Sequence, residues 1–197
     1  RMCLMRWFLG TLLALIIGVG IYLGSALVTL ARLAQAAKAA DAAEVLARTD
    51  VVRLRRSLVD QIVSAYLKQL GRDRPVKPLE RLAANTYGAS VADAMIVRML
   101  TAENLTDLLN KGAINSDGNA IARMRSLSEL DTSNVLETLR GMSLIKPVEL
   151  MFSLGEGENA GGVSLHFEGD GWKLSGIQLP SAAVQVLAQN LINKRAG

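Results

Sequence analysis

Hydrophobic and polar positions along this chain fall into three regimes, and each predicts a different kind of element. From Trp7 to Leu30 there are 24 residues without a charge. At about 1.5 Å rise per residue, a helix of that length reaches roughly 36 Å and exceeds a bilayer hydrocarbon core of about 30 Å. The run predicts a membrane-spanning helix. A cleaved signal peptide is the competing reading, but its apolar core would occupy only about 7 to 15 residues. Run length favours a retained anchor, so the expected division is an anchor over residues 1–30 and a globular domain over residues 31–197.

The second regime has a helical period. Leu33, Ala37, Ala40 and Glu44 lie at helical spacing, so the first helix is expected to continue directly from the span. Asp50 is placed to cap a second helix with Val51, Leu54, Leu58, Ile62 and Ala65 on one stripe, stopping at Leu70-Gly71. Pro78 suits the first position of the next helix, which is interrupted around Asn85 to Gly88. Thr101 caps a short helix ending at Asn110, with Gly112 as its stop, and Ala113 to Ala120 reads as loop.

In the third regime the period drops to two. Val148, Leu150, Phe152 and Leu154 alternate with polar or flexible residues, as in a strand with one buried face. Val163, Leu165 and Phe167 point inward from a second strand, and Gly169-Asp170-Gly171 makes a tight hairpin into Trp172 to Leu179. Trp172 and Leu174 are out of phase with Ile177 and Leu179, which places a glycine bulge at Ser175-Gly176. Pro180 ends that strand, and Ser181 to Lys194 closes the chain as an amphipathic helix carrying Val184, Leu187, Ala188 and Leu191. The fold class expected is α+β: one N-terminal transmembrane helix, then a helix-rich domain with a C-terminal antiparallel sheet.

Charge changes this picture only locally. Beyond Arg1 and Arg6, 20 basic residues face 18 acidic ones, so a high isoelectric point says little about nucleic acid. Arg48 to Arg81 nevertheless carries nine basic and four acidic groups, while Ser126 to Asp170 carries two and eight. Solvated helix faces account for such mixtures, and a basic side turned toward anionic lipid is the sharper alternative. Arg1 and Arg6 before the span and Arg32 and Lys38 after it pull its orientation in opposite directions.

Candidate chemistry is sparse. The only cysteine, Cys3, precedes the anchor, and the only histidine is His166. Zinc ligation is therefore not expected, and a carboxylate site for calcium would need Glu156, Glu158 and Asp170 to converge from two loops. No P-loop, dinucleotide fingerprint or nucleophile elbow is present. With 4% aromatic residues, stacking platforms for single-stranded nucleic acid are lacking. Alternation puts His166 with Ser164 and Glu168 on the face opposite Val163, Leu165 and Phe167, so it reads as an exposed strand histidine. A catalytic role would need a serine or aspartate from another element. Asp41 and Asp93 are the remaining candidates for a buried acid, although Asp41 is better read as a helix-end residue bonded to a backbone amide. In the span, Gly20 and Gly24 form a GxxxG pair, and Gly10, Ala14 and Gly18 repeat small residues every four positions. Close helix pairing is feasible there, and a homodimer through this face is one expected partner.

The charge-free anchor, Ala37 and Asp41 in an A-x-x-x-D arrangement, DVVRLRRSL at Asp50 to Leu58 and WKLSGIQLP at Trp172 to Pro180 together resemble the bacterial domain of unknown function 2939 family. Helices followed by a curved sheet also look like the NTF2-like cone. The resemblance implies a single-pass protein of the bacterial inner membrane with its domain outside the cytoplasm. It supplies no catalytic residue and implies no cofactor. The function expected is a non-catalytic envelope module binding a protein or small apolar ligand near the membrane. The alternative is an enzyme whose NTF2-like pocket uses carboxylates for acid-base work.

Overall fold

The computed structural model describes residues 2–73, 75–116, 119–129, 138, 140–155, 157, 160–169 and 171–196. Helix α1, Met2–Lys38, is continuous from the apolar run into the domain. It ends sooner than the stripe suggested, because Ala40 takes a left-handed conformation at φ 54° and turns the chain. Glu44 therefore belongs to a separate short helix, α2, Ala42–Ala47. Helix α3 spans Val51–Asp73, with the Asp50 carboxylate accepting from the Arg53 amide at 3.0 Å. It runs through Gly71, since a helical glycine costs only about 1 kcal/mol and ends a helix only when the next turn cannot form.

Helix α4, Pro78–Ala83, begins on its proline, and a π-helical turn, Ala84–Gly88, joins it to α5, Ala89–Met99. That turn is the interruption expected around Asn85. Helix α6, Ala102–Lys111, is bounded as its sequence implies: Thr101 Oγ1 accepts from the Asn104 amide at 3.2 Å, and Gly112 is left-handed at φ 65°. A side chain at Gly112 would also collide with the Met124 carbonyl, so glycine is required there twice over. The following stretch is not all loop. Ala113–Ser116 forms β1 and pairs antiparallel with β2, Asn119–Arg123.

The main sheet has four antiparallel strands in sequence order: β3 Met142–Lys146, β4 Glu149–Ser153, β5 Gly162–Glu168 and β6 Gly171–Gln178. A register shift at Ser164/Leu165 leaves Ser164 opposite Gly176 and Leu165 opposite Leu174. The extra residue on β6 is Ser175. This bulge returns Ile177 to the same face as Leu174, opposite Val163, and so corrects the out-of-phase alternation read from the sequence. Helix α7, Ser181–Ala196, follows, burying Ala183, Leu187, Ala188 and Leu191.

One core joins these parts. The sheet contributes Leu150, Phe152, Val163, Leu165, Trp172, Leu174 and Ile177 from one face, and the helices contribute Leu54, Leu58, Ile62, Leu105 and Leu109. Helix α1 adds Ala26, Leu30, Leu33 and Ala37, with Tyr22 and Leu23 partly buried beside them. Packing of α1 against the domain therefore begins near Tyr22, within the apolar run: Tyr22, Leu23, Ala26, Leu27 and Leu30 are buried or partly buried there. Trp7, Gly10 and residues 11–21 are exposed.

Candidate functional site

Both walls of one open cleft, between α3 and the main sheet, follow from sequence periodicity. On α3, the apolar side of Leu54, Leu58 and Ile62 turns into the core, which leaves Arg53, Arg56, Ser57, Asp60, Ser64 and Lys68 on the other side. On the sheet, Ser164 and His166 of β5 and Glu149 of β4 occupy the face opposite the core. Helix α3 runs along the edge of β6, so these two polar surfaces look at each other across an open groove of about 760 Å³. Ser181 and Gln185 of α7 line its far end.

Three contacts hold α3 in that position. The chain at Arg48–Asp50 pairs with the free edge of β6, the Leu174 amide donating to the Arg48 carbonyl and the Asp50 amide to the Leu174 carbonyl, both at 2.8 Å. Farther along, Gln61 replaces a missing strand: its Nε2 donates to the Ile177 carbonyl at 2.8 Å and its Oε1 accepts from the Leu179 amide at 3.0 Å. Backbone groups that would otherwise be open to another strand are thereby satisfied. Between them lies Gly176, where an added Cβ would stand 3.1 Å from Ser57 Oγ and 3.3 Å from Ser164 Cβ. Glycine lets the helix approach the bulge.

Four cations, Arg53, Arg56, Lys68 and Lys146, line the groove against two carboxylates, Asp60 and Glu149, an excess of two positive charges leaving His166 aside. Arg53 is paired with Asp50 at 2.9 Å and Lys146 with Glu149 at 3.5 Å. Arg56 and Lys68 have no ion pair among the described residues. Five serine hydroxyls, those of Ser57, Ser64, Ser164, Ser175 and Ser181, add donors and acceptors. Such a lining suits a polar, anionic ligand. The cleft among Leu58, Leu105, Leu108 and Leu187 holds about 50 Å³, room for little more than a water or two.

His166 is half-buried in this groove and makes no side-chain hydrogen bond to a described residue. Its strand face is the one alternation indicated, yet that face is walled by α3 instead of lying open. Asp41 is exposed and caps α2, its carboxylate accepting from the Glu44 amide at 3.0 Å. Asp93 is clamped by Arg55, whose Nη2 donates to Oδ2 at 2.7 Å and whose Nε donates to Oδ1. The Asp93 hydrogen bond raises the Arg55 pKa. Neither aspartate is a buried acid and neither lines the groove. Glu156, Glu158 and Asp170 lie outside the described residues, and no cluster of metal-ligating side chains occurs among those described.

Gly10, Gly18, Gly20 and Gly24 meet no neighbouring atom within Cβ reach, and Ala14 is exposed. At about 100° per residue, these five positions centre on the side of α1 opposite the stripe of Tyr22, Ala26, Leu30, Leu33 and Ala37 that enters the core. What the sequence reading missed is the helical wall, above all Gln61, Arg56 and Lys68. Their signal was the polar i, i+3, i+4 spacing on α3; the facing partner had none.

Residues 15–108 match the family model described as "Protein of unknown function (DUF2939)". No curated protein and no solved structure matches the chain. The matched stretch begins within the apolar part of α1 and runs into α6. It includes the α3 wall of the groove and stops short of the sheet wall.

Proposed function

The chain belongs to the DUF2939 family through residues 15–108, and from that premise we propose that it is a single-pass, membrane-anchored, non-catalytic module of the bacterial envelope whose groove binds an acidic segment of a protein partner. The carrying observation is the juxtaposition of Arg56 and Lys68, without ion-pair partners among the described residues, with a hydroxyl-lined strand face. Their excess charge attracts an anion, and the open, elongated shape between helix and sheet suits an extended chain better than an enclosed small molecule. A small apolar ligand would have to take a different space, the pocket of about 480 Å³ among Tyr66, Ala84, Tyr87, Val91 and Leu191. The order of helices, bulged sheet and intervening groove is what supports reading the domain as an NTF2-like cone.

Anchoring rests on α1, which is long and apolar enough to cross a membrane. We place the domain outside the cytoplasm of a bacterial cell. Alkaline phosphatase and a fluorescent protein fused separately after Gly197 test this: phosphatase activity supports it, and fluorescence alone reverses it. For the groove, the probe is a fluorescent deca-glutamate peptide with the full chain in detergent. Anisotropy should report binding that weakens with salt and is lost in Arg56→Glu/Lys68→Glu. Equal binding by that variant would sink the groove reading. The enzyme alternative has less support, because Asp41 and Asp93 are both engaged at the surface.

A further inference from the structure

The β3–β4 hairpin carries an apolar tip that the domain leaves uncovered. Ser143 to Lys146 are exposed on both faces of the strand, with Leu144 63% and Ile145 49% accessible, and Val148 just past the turn is 40% accessible. No packing among the described residues accounts for three large apolar side chains at one turn. Their position does. The Tyr22 hydroxyl donates to the Pro147 carbonyl at 2.5 Å, so the tip touches α1 at the point where that helix leaves the domain. Phe167 and Trp172 stack on the same tyrosine with ring centroids 5.7 and 5.0 Å away, and the Trp172 Nε1 donates to Ser25 Oγ at 2.9 Å.

Helix length then fixes where a bilayer would have to lie. The charge-free part of α1 ahead of the first residue packed on the domain is Trp7 to Ile21, 15 residues, or about 22 Å at 1.5 Å per residue, which falls short of a hydrocarbon core of roughly 30 Å. About 20 residues counted from Trp7 end at Ala26, which is already buried in the domain. Tilting the helix only shortens its reach along the membrane normal. The lipid boundary must therefore come up to the level of Tyr22, and the hairpin tip stands at that level.

We infer that the β3–β4 tip, through Leu144, Ile145 and Val148, is immersed in the interface of the bilayer that α1 enters. Lys146, between them, can extend its ammonium toward headgroups while its stem lies along the apolar side chains. Tyr22, partly buried at the junction, has the amphipathic ring that favours the same depth. The domain is thus seated on the membrane by two points, helix and hairpin, which fixes its tilt and the direction in which the groove opens. This inference rests on the anchoring reading above.

Its test uses the full chain with Cys3 replaced by serine, reconstituted in vesicles of phosphatidylcholine and phosphatidylglycerol. Single cysteines at Ile145, Ile16 and Ser153 carry an environment-sensitive fluorophore, and nitroxide-bearing lipid serves as quencher. Ser153 lies at the opposite end of β4 and is exposed. Expected are strong quenching at Ile16 and quenching at Ile145 several-fold above that at Ser153. If Ile16 is quenched but Ile145 behaves like Ser153, the hairpin contact is wrong while the anchor stands. If Ile16 is not quenched, the anchoring reading fails, and this inference with it.

Discussion

Trp7–Ile21 and Tyr22–Lys38 are two halves of one helix with similar apolar character and different surroundings. In the first half, the described side chains look into open space. In the second, one stripe of five residues is closed over by a sheet and helices, while Arg32, Gln35 and Lys38 on the other side remain exposed. Transfer from water drives both kinds of burial at a similar free energy per unit area, so hydropathy registers the helix but not its destination. The distinguishing signal is anisotropy: an anchor is apolar all round, and a core helix is apolar on one stripe. Here one type passes into the other within a turn of Tyr22.

The comparison breaks most severely by truncation. Removal of residues 1–21 should leave a domain that melts cooperatively, whereas removal of residues 1–38 should abolish the cooperative transition in circular dichroism, because Leu30, Leu33 and Ala37 leave a trough along the core. Two stable truncated forms would show that the second half is not structural. A subtler contrast pairs Leu33→Ala with Ile16→Ala. The first deletes a fully buried side chain and should cost about 2–5 kcal/mol in urea unfolding of the detergent-solubilised chain; the second, away from the core, should shift stability by less than about 0.5 kcal/mol.

Smaller effects sharpen the junction itself. Trp172→Phe keeps a ring beside Tyr22 but removes the hydrogen bond to Ser25, and a loss of about 1 kcal/mol in the same unfolding measurement is expected. Gly20→Ile with Gly24→Ile should leave domain unfolding unchanged, since nothing in the domain lies within Cβ reach of either glycine. It should affect only self-association, read in a membrane two-hybrid assay. An unchanged signal there would remove the small-residue face as a pairing surface.

Legibility in the sequence follows the range of the forces involved. Caps at Asp50 and Thr101, the glycine stop at Gly112, the proline start at Pro78 and the bulge at Ser175-Gly176 are local, set by a few neighbouring backbone groups, and each is found where the residues imply. Strand β3 and the β1–β2 hairpin left no comparable trace. Ser143–Lys146 is exposed on both faces and so lacks a buried alternation, while AINS and NAIA are too short and mixed to separate from loop. Half of the candidate site was visible, as the polar face carrying Ser164 and His166. The other half required α3 to lie along β6.

By itself, the sequence determined a long apolar helix, a run of capped helices and a β-rich end in which β4, β5 and β6 each have one face for a core, because these depend on period and on contacts within a few residues. It also determined that His166 opposes Val163 and Leu165, since alternation along a strand is covalent geometry. Only the tertiary structure decided that α1 gives its second half to the core, that Gln61 closes the β6 edge from 116 residues away in sequence, and that Arg56 lines a groove whose other wall is a strand. Those pairings are chosen by packing between surfaces that any amphipathic helix and sheet offer in many combinations. Local pattern leaves that choice open, and burial of the whole core makes it.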